Sequence, residues 1–177
     1  MTPKTLILSL ALALSPLAAG AEVRDKSVPM TVVETVKLSK YLGKWYEIAR
    51  FPNRFERGCD NVTAEYSMND DGTVKVVNTC VKGGVAEAAE GEAWVEGPSK
   101  LKVTFVPMLG SLAAGDYWII DLKPDYSMAV VGAPTSDFGW ILSRKPKLST
   151  ADMDRALAAL KKNGYDVTKL EMVKQGG

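Results

Sequence analysis

Between residues 44 and 145 the chain alternates. Val62, Ala64, Tyr66 and Met68 are interleaved with Thr63, Glu65 and Ser67, the period-two pattern of a strand with one apolar face. Val74, Val76 and Asn78 share one face of the stretch 73–81; Ala93 and Val95 oppose Trp94 and Glu96; Leu101, Val103 and Phe105 alternate with Lys102 and Thr104. Turn-forming clusters punctuate these runs at Asn69-Asp70-Asp71-Gly72, Lys82-Gly83-Gly84, Gly97-Pro98-Ser99 and Lys123-Pro124-Asp125. The pattern predicts eight strands, at about 44–53, 61–68, 73–81, 86–96, 101–105, 116–122, 126–132 and 138–145. The first opens at Gly43-Lys44-Trp45-Tyr46-Glu47-Ile48-Ala49-Arg50, where Trp45, Tyr46 and Ile48 favour extended backbone and Gly43 lets the chain turn into it.

Strands in strict succession with hairpin-sized connections predict an up-and-down meander. Eight can close on themselves and leave no free edge. The predicted fold is therefore all-β, an eight-stranded antiparallel barrel, a size that can hold one small ligand. A two-sheet sandwich needs longer crossovers than this chain offers.

On either side the pattern changes. Met153, Leu157 and Leu160 fall on one helical face, after a capping pair Ser149 and Asp152 and before a stop at Gly164. This helix is expected on the outside of the barrel, followed by a short strand at about 166–173 that pairs with the first strand. Residues 22–42 read as an extended arm, with Val28-Pro29 disfavouring helix. The arm ends in one helical turn, capped by Ser39 and stopped by Gly43, that plugs one pole.

The leading 21 residues follow a different logic. Lys4 precedes an apolar run from Leu6 to Leu14, broken only by Ser9, and Ala19-Gly20-Ala21 supplies small residues for cleavage before Glu22. This is a secretory signal peptide, its core too short to span a bilayer. The division is thus 1–21 signal peptide and 22–177 a single domain. Charge adds little: Lys+Arg 22 against Asp+Glu 21, with no basic stripe to suggest nucleic acid. The sequence has no His, which removes the commonest general base and metal ligand, and two Cys alone do not complete a structural zinc site. No metal, no cofactor and no catalytic residue is expected.

Three clusters give the chain a family likeness. Gly43 stands two residues before Trp45 at the start of the first strand. Asp121-Leu122-Lys123-Pro124-Asp125-Tyr126, followed by Ala129-Val130-Val131-Gly132, lies at the turn between the sixth and seventh strands. Arg144 closes the eighth strand in Trp140-Ile141-Leu142-Ser143-Arg144-Lys145-Pro146. In this order they resemble the three signatures of the lipocalins, the second as a variant of Thr-Asp-Tyr with Asp and Tyr separated. With Arg54-Phe55-Glu56-Arg57-Gly58 and Tyr165-Asp166-Val167, the whole chain after the signal peptide is similar to the bacterial outer-membrane and apolipoprotein D-like subgroup. Many bacterial members are lipoproteins acylated on a Cys after the cleavage box; Ala21 or Glu22 stands there instead. The expectation is a soluble exported protein without a lipid anchor, periplasmic in a two-membrane cell.

Counting strands up and down brings Gly43, Trp45, Asp121, Tyr126 and Arg144 to one closed pole, where the Arg144 guanidinium can stack on the Trp45 indole as a structural contact. Cys59 and Cys80 flank the hairpin that turns at 69–72 and sit nearly opposite. Oxidising conditions outside the cytoplasm favour a Cys59–Cys80 disulfide; two free thiols or one reactive nucleophile are the alternatives.

Alternation from Trp45 assigns Glu47, Ala49 and Phe51 to the interior, with Ala64, Tyr66, Val76, Asn78, Val95, Val103, Phe105, Trp140 and Leu142. Tyr117 joins them, although Tyr117 and Ile119 oppose Trp118 and Ile120 with equal hydrophobicity. A one-residue slip flips a strand's side chains. The lining is mostly apolar with a few polar groups, as small-molecule sites are. At the open pole, residues 107–115 carry no charge and several apolar side chains, suited to a lip for acyl chains, a membrane contact or a homodimer. Arg54 and Arg57 add positive charge at the same rim, a candidate contact for a phosphate or carboxylate head group. The resemblance implies a carrier or sequesterer of a small hydrophobic ligand, a fatty acid or lysophospholipid. Two rivals stand beside it: a cavity enzyme acting on a lipid through an interior acid such as Glu47, and a barrel scaffold that touches a protein or membrane through 107–115.

Overall fold

The computed structural model describes residues 22–176, so the expected signal peptide lies outside the described residues. The strands are β1 (Gly43–Arg50), β2 (Cys59–Met68), β3 (Val74–Lys82), β4 (Val85–Gly97), β5 (Lys100–Thr104), β6 (Gly115–Leu122), β7 (Met128–Gly132) and β8 (Gly139–Ser143). Each pairs antiparallel with its successor, and β1 pairs with both β2 and β8. The barrel is closed, as the hairpin spacing predicts. Helix α1 (Leu38–Tyr41) precedes β1, and α2 (Thr150–Lys162) follows β8.

Ser149 caps α2, its hydroxyl accepting from the Asp152 N–H at 3.1 Å. Ser39 does not cap α1. The cap position is Lys37, two residues earlier, and it makes no side-chain cap bond. The last strand is shorter than expected: 167–169 form a 3₁₀ turn, and β9 (Glu171–Met172) is two residues long. It pairs with β1 as predicted, Met172 opposite Ala49 and Glu171 opposite Arg50. Near the open pole β1 and β2 part, and the C-terminal residues fill the gap. The Val173 N–H donates to the Ile48 carbonyl (2.9 Å) and the Asn61 N–H to the Lys174 carbonyl (2.7 Å).

Two apolar cores share the barrel wall. Trp45, Tyr66, Val76, Ile119, Val131 and Leu142 fill the inside, while Ile48, Met128, Val130, Ile141, Leu160 and Tyr165 pack between the wall and α2. That is why every residue of β7 is buried. The arm crosses the closed pole through the Val33 N–H to the Ile119 carbonyl and the Val36 N–H to the Pro98 carbonyl, each 3.0 Å. Arg24, at its start, is fully buried and donates to the carbonyls of Asn163 (2.9 Å), Pro134 (3.0 Å) and Val28 (2.5 Å). The uncharged stretch after β5 forms 3₁₀ turns over Pro107–Ala113, kinked at Gly110.

Candidate functional site: the barrel lumen

At the closed pole the floor is an aromatic and a guanidinium. Trp45 is wholly buried and its indole N–H donates to the Tyr41 carbonyl at 2.7 Å. The Arg144 guanidinium lies 3.9 Å from the Trp45 ring centre. It donates to four carbonyls, those of Lys44 (2.7 Å), Lys40 (2.8 Å), Tyr41 (3.1 Å) and Leu42 (2.8 Å). These belong to α1 and the start of β1, so one side chain ties the plug to the barrel. Gly43, at φ +85°, makes the turn between them, and a side-chain carbon there would stand 3.6 Å from that guanidinium. The Tyr126 hydroxyl accepts from the Lys37 N–H at 2.9 Å and fastens the arm. Asp121 does not join this group. It lies on the outer wall and binds Arg155 of α2 through two hydrogen bonds, 2.7 and 2.8 Å.

Above the floor the lumen is filled. The Tyr117 hydroxyl bridges those of Tyr41 (2.9 Å) and Tyr66 (3.0 Å). Burial pushes all three phenols up, Tyr66 to about 12. With Leu38, Val74, Ala93, Leu101 and Val103 they leave a void of about 10 Å³, no more than one water needs. Tyr41 is absent from the predicted lining because it comes from α1, not from a strand. Its only signal is its place four residues before Trp45 on the plug.

The filling stops at Gly91. A side-chain carbon there would fall 2.6 Å from the Thr104 carbonyl and 2.9 Å from the Phe105 ring, so β4 and the chain leaving β5 meet closely at this level. Below it Ala93 is buried; above it every residue from Val85 to Glu90 is exposed, on both faces of β4. Ala89 and Glu87 follow Gly91 on the inward side by register, but β5 ends opposite Glu92, so β4 runs on without a β5 neighbour and the upper lumen is a cup open on that side. Asn78, paired with Ala64 and Ala89, stands at the boundary, its Oδ1 buried without a partner.

The cup wall holds a polar cluster. Glu47 is 4% exposed and accepts from Arg50 at 3.0 Å. Arg50 also donates to the carbonyls of Glu56 (2.9 Å) and Cys59 (3.3 Å). Glu56 reaches in from the loop between β1 and β2 and takes hydrogen bonds from the Trp140 indole N–H (3.1 Å) and the Asn53 amide. Burial, then the Glu56 carboxylate beside it, holds the Glu47 carboxyl well above the usual range, against the lowering pull of Arg50.

Of the predicted lining, Glu47, Ala64, Tyr66, Val76, Asn78, Val103, Tyr117, Trp140 and Leu142 face inward. Four do not line it as expected. Ala49 and Phe51 pack outside the wall, Phe51 stacked on Tyr165 at 4.9 Å. The reason is a β-bulge: Glu47 faces Leu142 but Ala49 faces Ile141, with Ile48 as the extra residue. The shift turns Ala49 outward and puts Arg50 opposite Trp140. Val95 lies past the end of the β3 pairing, at the closed rim, and is 54% exposed. Phe105 lies beyond β5 and forms a half-exposed lip over Gly91. Arg54 and Arg57 line a separate outer cleft of about 260 Å³ with Pro52, Asn53, Gly58 and Glu171. Arg50 and Glu56, missed in the lining, had no period-two signal: one follows the bulge and the other comes from a loop.

Cys59 and Cys80 form a disulfide, Cα atoms 5.4 Å apart, packed with Val62 and Val173 beside the parted strands.

Comparison with known proteins agrees with this architecture. Residues 36–175 match the family model described as a lipocalin-like domain. The outer membrane lipoprotein Blc of Escherichia coli (strain K12) is 40% identical over 153 residues, 84% of each chain. Temperature-induced lipocalin-1 of Arabidopsis thaliana is 37% identical over 155 residues, 82% of this chain and 83% of that one. Apolipoprotein D of Mus musculus is 35% identical over 156 residues, 81% of this chain and 79% of that one. Among solved structures, insecticyanin from the tobacco hornworm Manduca sexta superposes with a TM-score of 0.63 at 20% identity, covering 84% of this chain and 88% of that one. The name of the Blc relative states a lipoprotein, which runs against the expectation of no lipid anchor; the two Cys of this chain are joined to each other. The family match over most of the chain, together with the closed eight-stranded barrel, leads to one conclusion: the chain belongs to the lipocalins.

Proposed function

We propose that this protein is an exported, soluble carrier that holds the acyl chain of a fatty acid or lysophospholipid in its barrel. Membership of the family supports binding of a small hydrophobic ligand. The observation that carries the finer reading is the open cup above Gly91, floored by Tyr66 and Tyr117 and walled by Phe105 and Trp140. Each buried CH₂ contributes about 0.8 kcal/mol to holding a chain there. The reading is binding and release by mass action, not catalysis.

At the mouth, Met108 is 96% and Leu112 92% exposed, in the uncharged turns after β5. Such side chains support transient contact with a membrane or a second copy while a lipid is exchanged.

Native mass spectrometry of the purified protein, followed by organic extraction and lipid identification, tests the proposal. One fatty acid or lysophospholipid per protein is the expected result. A protein that arrives empty and fails to take up a fluorescent fatty acid or lysophospholipid at micromolar concentration defeats it.

A further inference from the structure

Between β7 and β8 the chain crosses the open pole at residues 133–138, and this connection is held from outside. Arg24, at the start of the arm, donates to the Pro134 carbonyl at 3.0 Å and to the Asn163 carbonyl at the end of α2 at 2.9 Å. Lys26 lies 3.5 Å from the Asp137 carboxylate. Tyr165 pairs with Arg24 in an isolated bridge, and the guanidinium stands 5.8 Å from its ring centre. The Tyr165 hydroxyl accepts from the Ala133 N–H at 3.0 Å and donates to the Phe138 carbonyl at 2.6 Å. Ala133, Pro134, Asp137 and Phe138 are thus tied to the arm or to the tyrosine beside it. On its inner side the connection carries the Phe138 ring, 6.2 Å from Phe55 of the β1–β2 loop and 5.8 Å from Trp140 of the cup wall.

The arm's hold is exacting. Arg24 is 1% exposed, and its hydrogen-bond partners are carbonyls of the arm (Val28), the β7–β8 connection and α2, none of them a carboxylate. A buried cation so placed is stable only while those carbonyls stay around it; the end of α2 adds the negative pole of its backbone dipole. Around Tyr165 there is no slack. A side-chain carbon at Gly132 would fall 2.8 Å from its hydroxyl and one at Gly139 3.2 Å from its ring, while Phe51 stacks on it at 4.9 Å. A shift of the arm is therefore passed to both ends of the connection instead of being absorbed by the packing.

We propose, resting on the carrier reading for what passes through, that residues 22–28 are a clasp on the mouth and that Arg24 is its positioning residue, setting how fast a molecule enters and leaves the cup without touching it. With Arg24 seated, Phe138 is held against Phe55 and Trp140. With Arg24 withdrawn, the connection loses its outer ties, Phe138 swings free and the mouth opens. Entry and exit share that mouth, so both rates rise together and affinity changes little.

Hydrogen exchange of the purified protein without ligand, read by mass spectrometry, tests the clasp. Stopped-flow uptake and release of a fluorescent fatty acid tests the gating. In Arg24→Ala, amides within 133–139 are expected to exchange at least about tenfold faster. Uptake and release are both expected to speed at least about threefold, with Kd changed by less than about twofold. Lys26→Ala leaves the buried guanidinium in place and is expected to move the same quantities in the same direction by less; it serves if Arg24→Ala does not fold. Arg144→Ala loosens the opposite pole and is expected to lower stability without speeding release. Unchanged exchange at 133–139 in the arm variants overturns the clasp. Faster exchange there with unchanged uptake and release overturns the gating. Release that speeds equally in Arg144→Ala overturns the positioning role of Arg24. A wild-type protein that takes up no probe overturns the carrier reading and the gating with it, while hydrogen exchange decides the clasp by itself.

Discussion

The guanidinium of Arg144 lies 3.9 Å from the centre of the Trp45 ring and at the same time donates to four carbonyls of the segment that leads into β1. The stack alone is worth up to about 2 kcal/mol when desolvated, and the carbonyl bonds add to it. Arg144→Ala is therefore expected to lower stability by about 2–4 kcal/mol. Lys is expected to recover little, because an ammonium cannot stack flat and fork to several carbonyls together. Denaturant unfolding measures the loss. Ligand stoichiometry is expected to stay unchanged, since the cup lies at the opposite pole; lost binding in a barrel of undiminished stability would contradict the structural role.

The tyrosine chain makes the protein sensitive to alkali. All three phenols are held above their ordinary value of 10.0, Tyr66 at about 12. In the unfolded chain they ionise near pH 10, while in the native barrel they keep their protons. The native state then binds more protons, so stability is full below pH 10 and falls as the pH rises toward the folded values. Phenolate absorbance is expected to appear together with unfolding, not ahead of it.

Tyr117→Phe tests the same chain at neutral pH. It removes the hydroxyl shared by Tyr41 and Tyr66 and leaves two buried hydroxyls without their partner. The expected loss is about 1–3 kcal/mol in denaturant unfolding.

Glu47 gives a slope in the other pH range. Its carboxyl is held above the ordinary value of 4.5 by burial and by Glu56. As the pH rises past 4.5 the unfolded chain releases this proton first. Native stability therefore declines from there up to the folded value, and is flat with respect to this group above it. Glu47→Gln cannot titrate and is expected to remove that part of the slope. Thermal melts of both proteins between about pH 4 and pH 8 show whether the two curves diverge in shape.

The Cys59–Cys80 bridge closes a loop of 21 residues in sequence separation, worth about 3 kcal/mol in the chain-entropy model. The double variant Cys59→Ser with Cys80→Ser is expected to lose about that much. Because the bridge packs with Val62 and Val173, hydrogen exchange is expected to rise first where Val173 and Lys174 bond Ile48 and Asn61.

The barrel was legible because its strands alternate and its turns are short: β2 and β3 appear within a residue or two of where Val62–Met68 and Val74–Asn78 place them. The wall of the site was less so. Alternation carries Glu47 inward correctly, but nothing in the letters Glu47-Ile48-Ala49-Arg50 marks the bulge, and one extra residue exchanges Ala49 for Arg50 on the inner face. Tyr41 and Glu56 reach the lumen from a helical turn and a loop, elements without a two-residue period to betray a side chain's direction. Val95 alternates inward yet runs past its neighbour strand. Strand ends are set by partners, which a single stretch of sequence does not contain.

The C-terminal residues seated between β1 and β2 bear on how this chain folds. β1 has one neighbour from the next hairpin, but its others, β8 and β9, come about a hundred residues later. A growing chain therefore holds an open sheet with unpaired edges until β8 arrives, and β9 with the residues after it fills the last gap. Closing so distant a contact is slow compared with forming a hairpin. The barrel therefore locks late, through contacts made between its two ends.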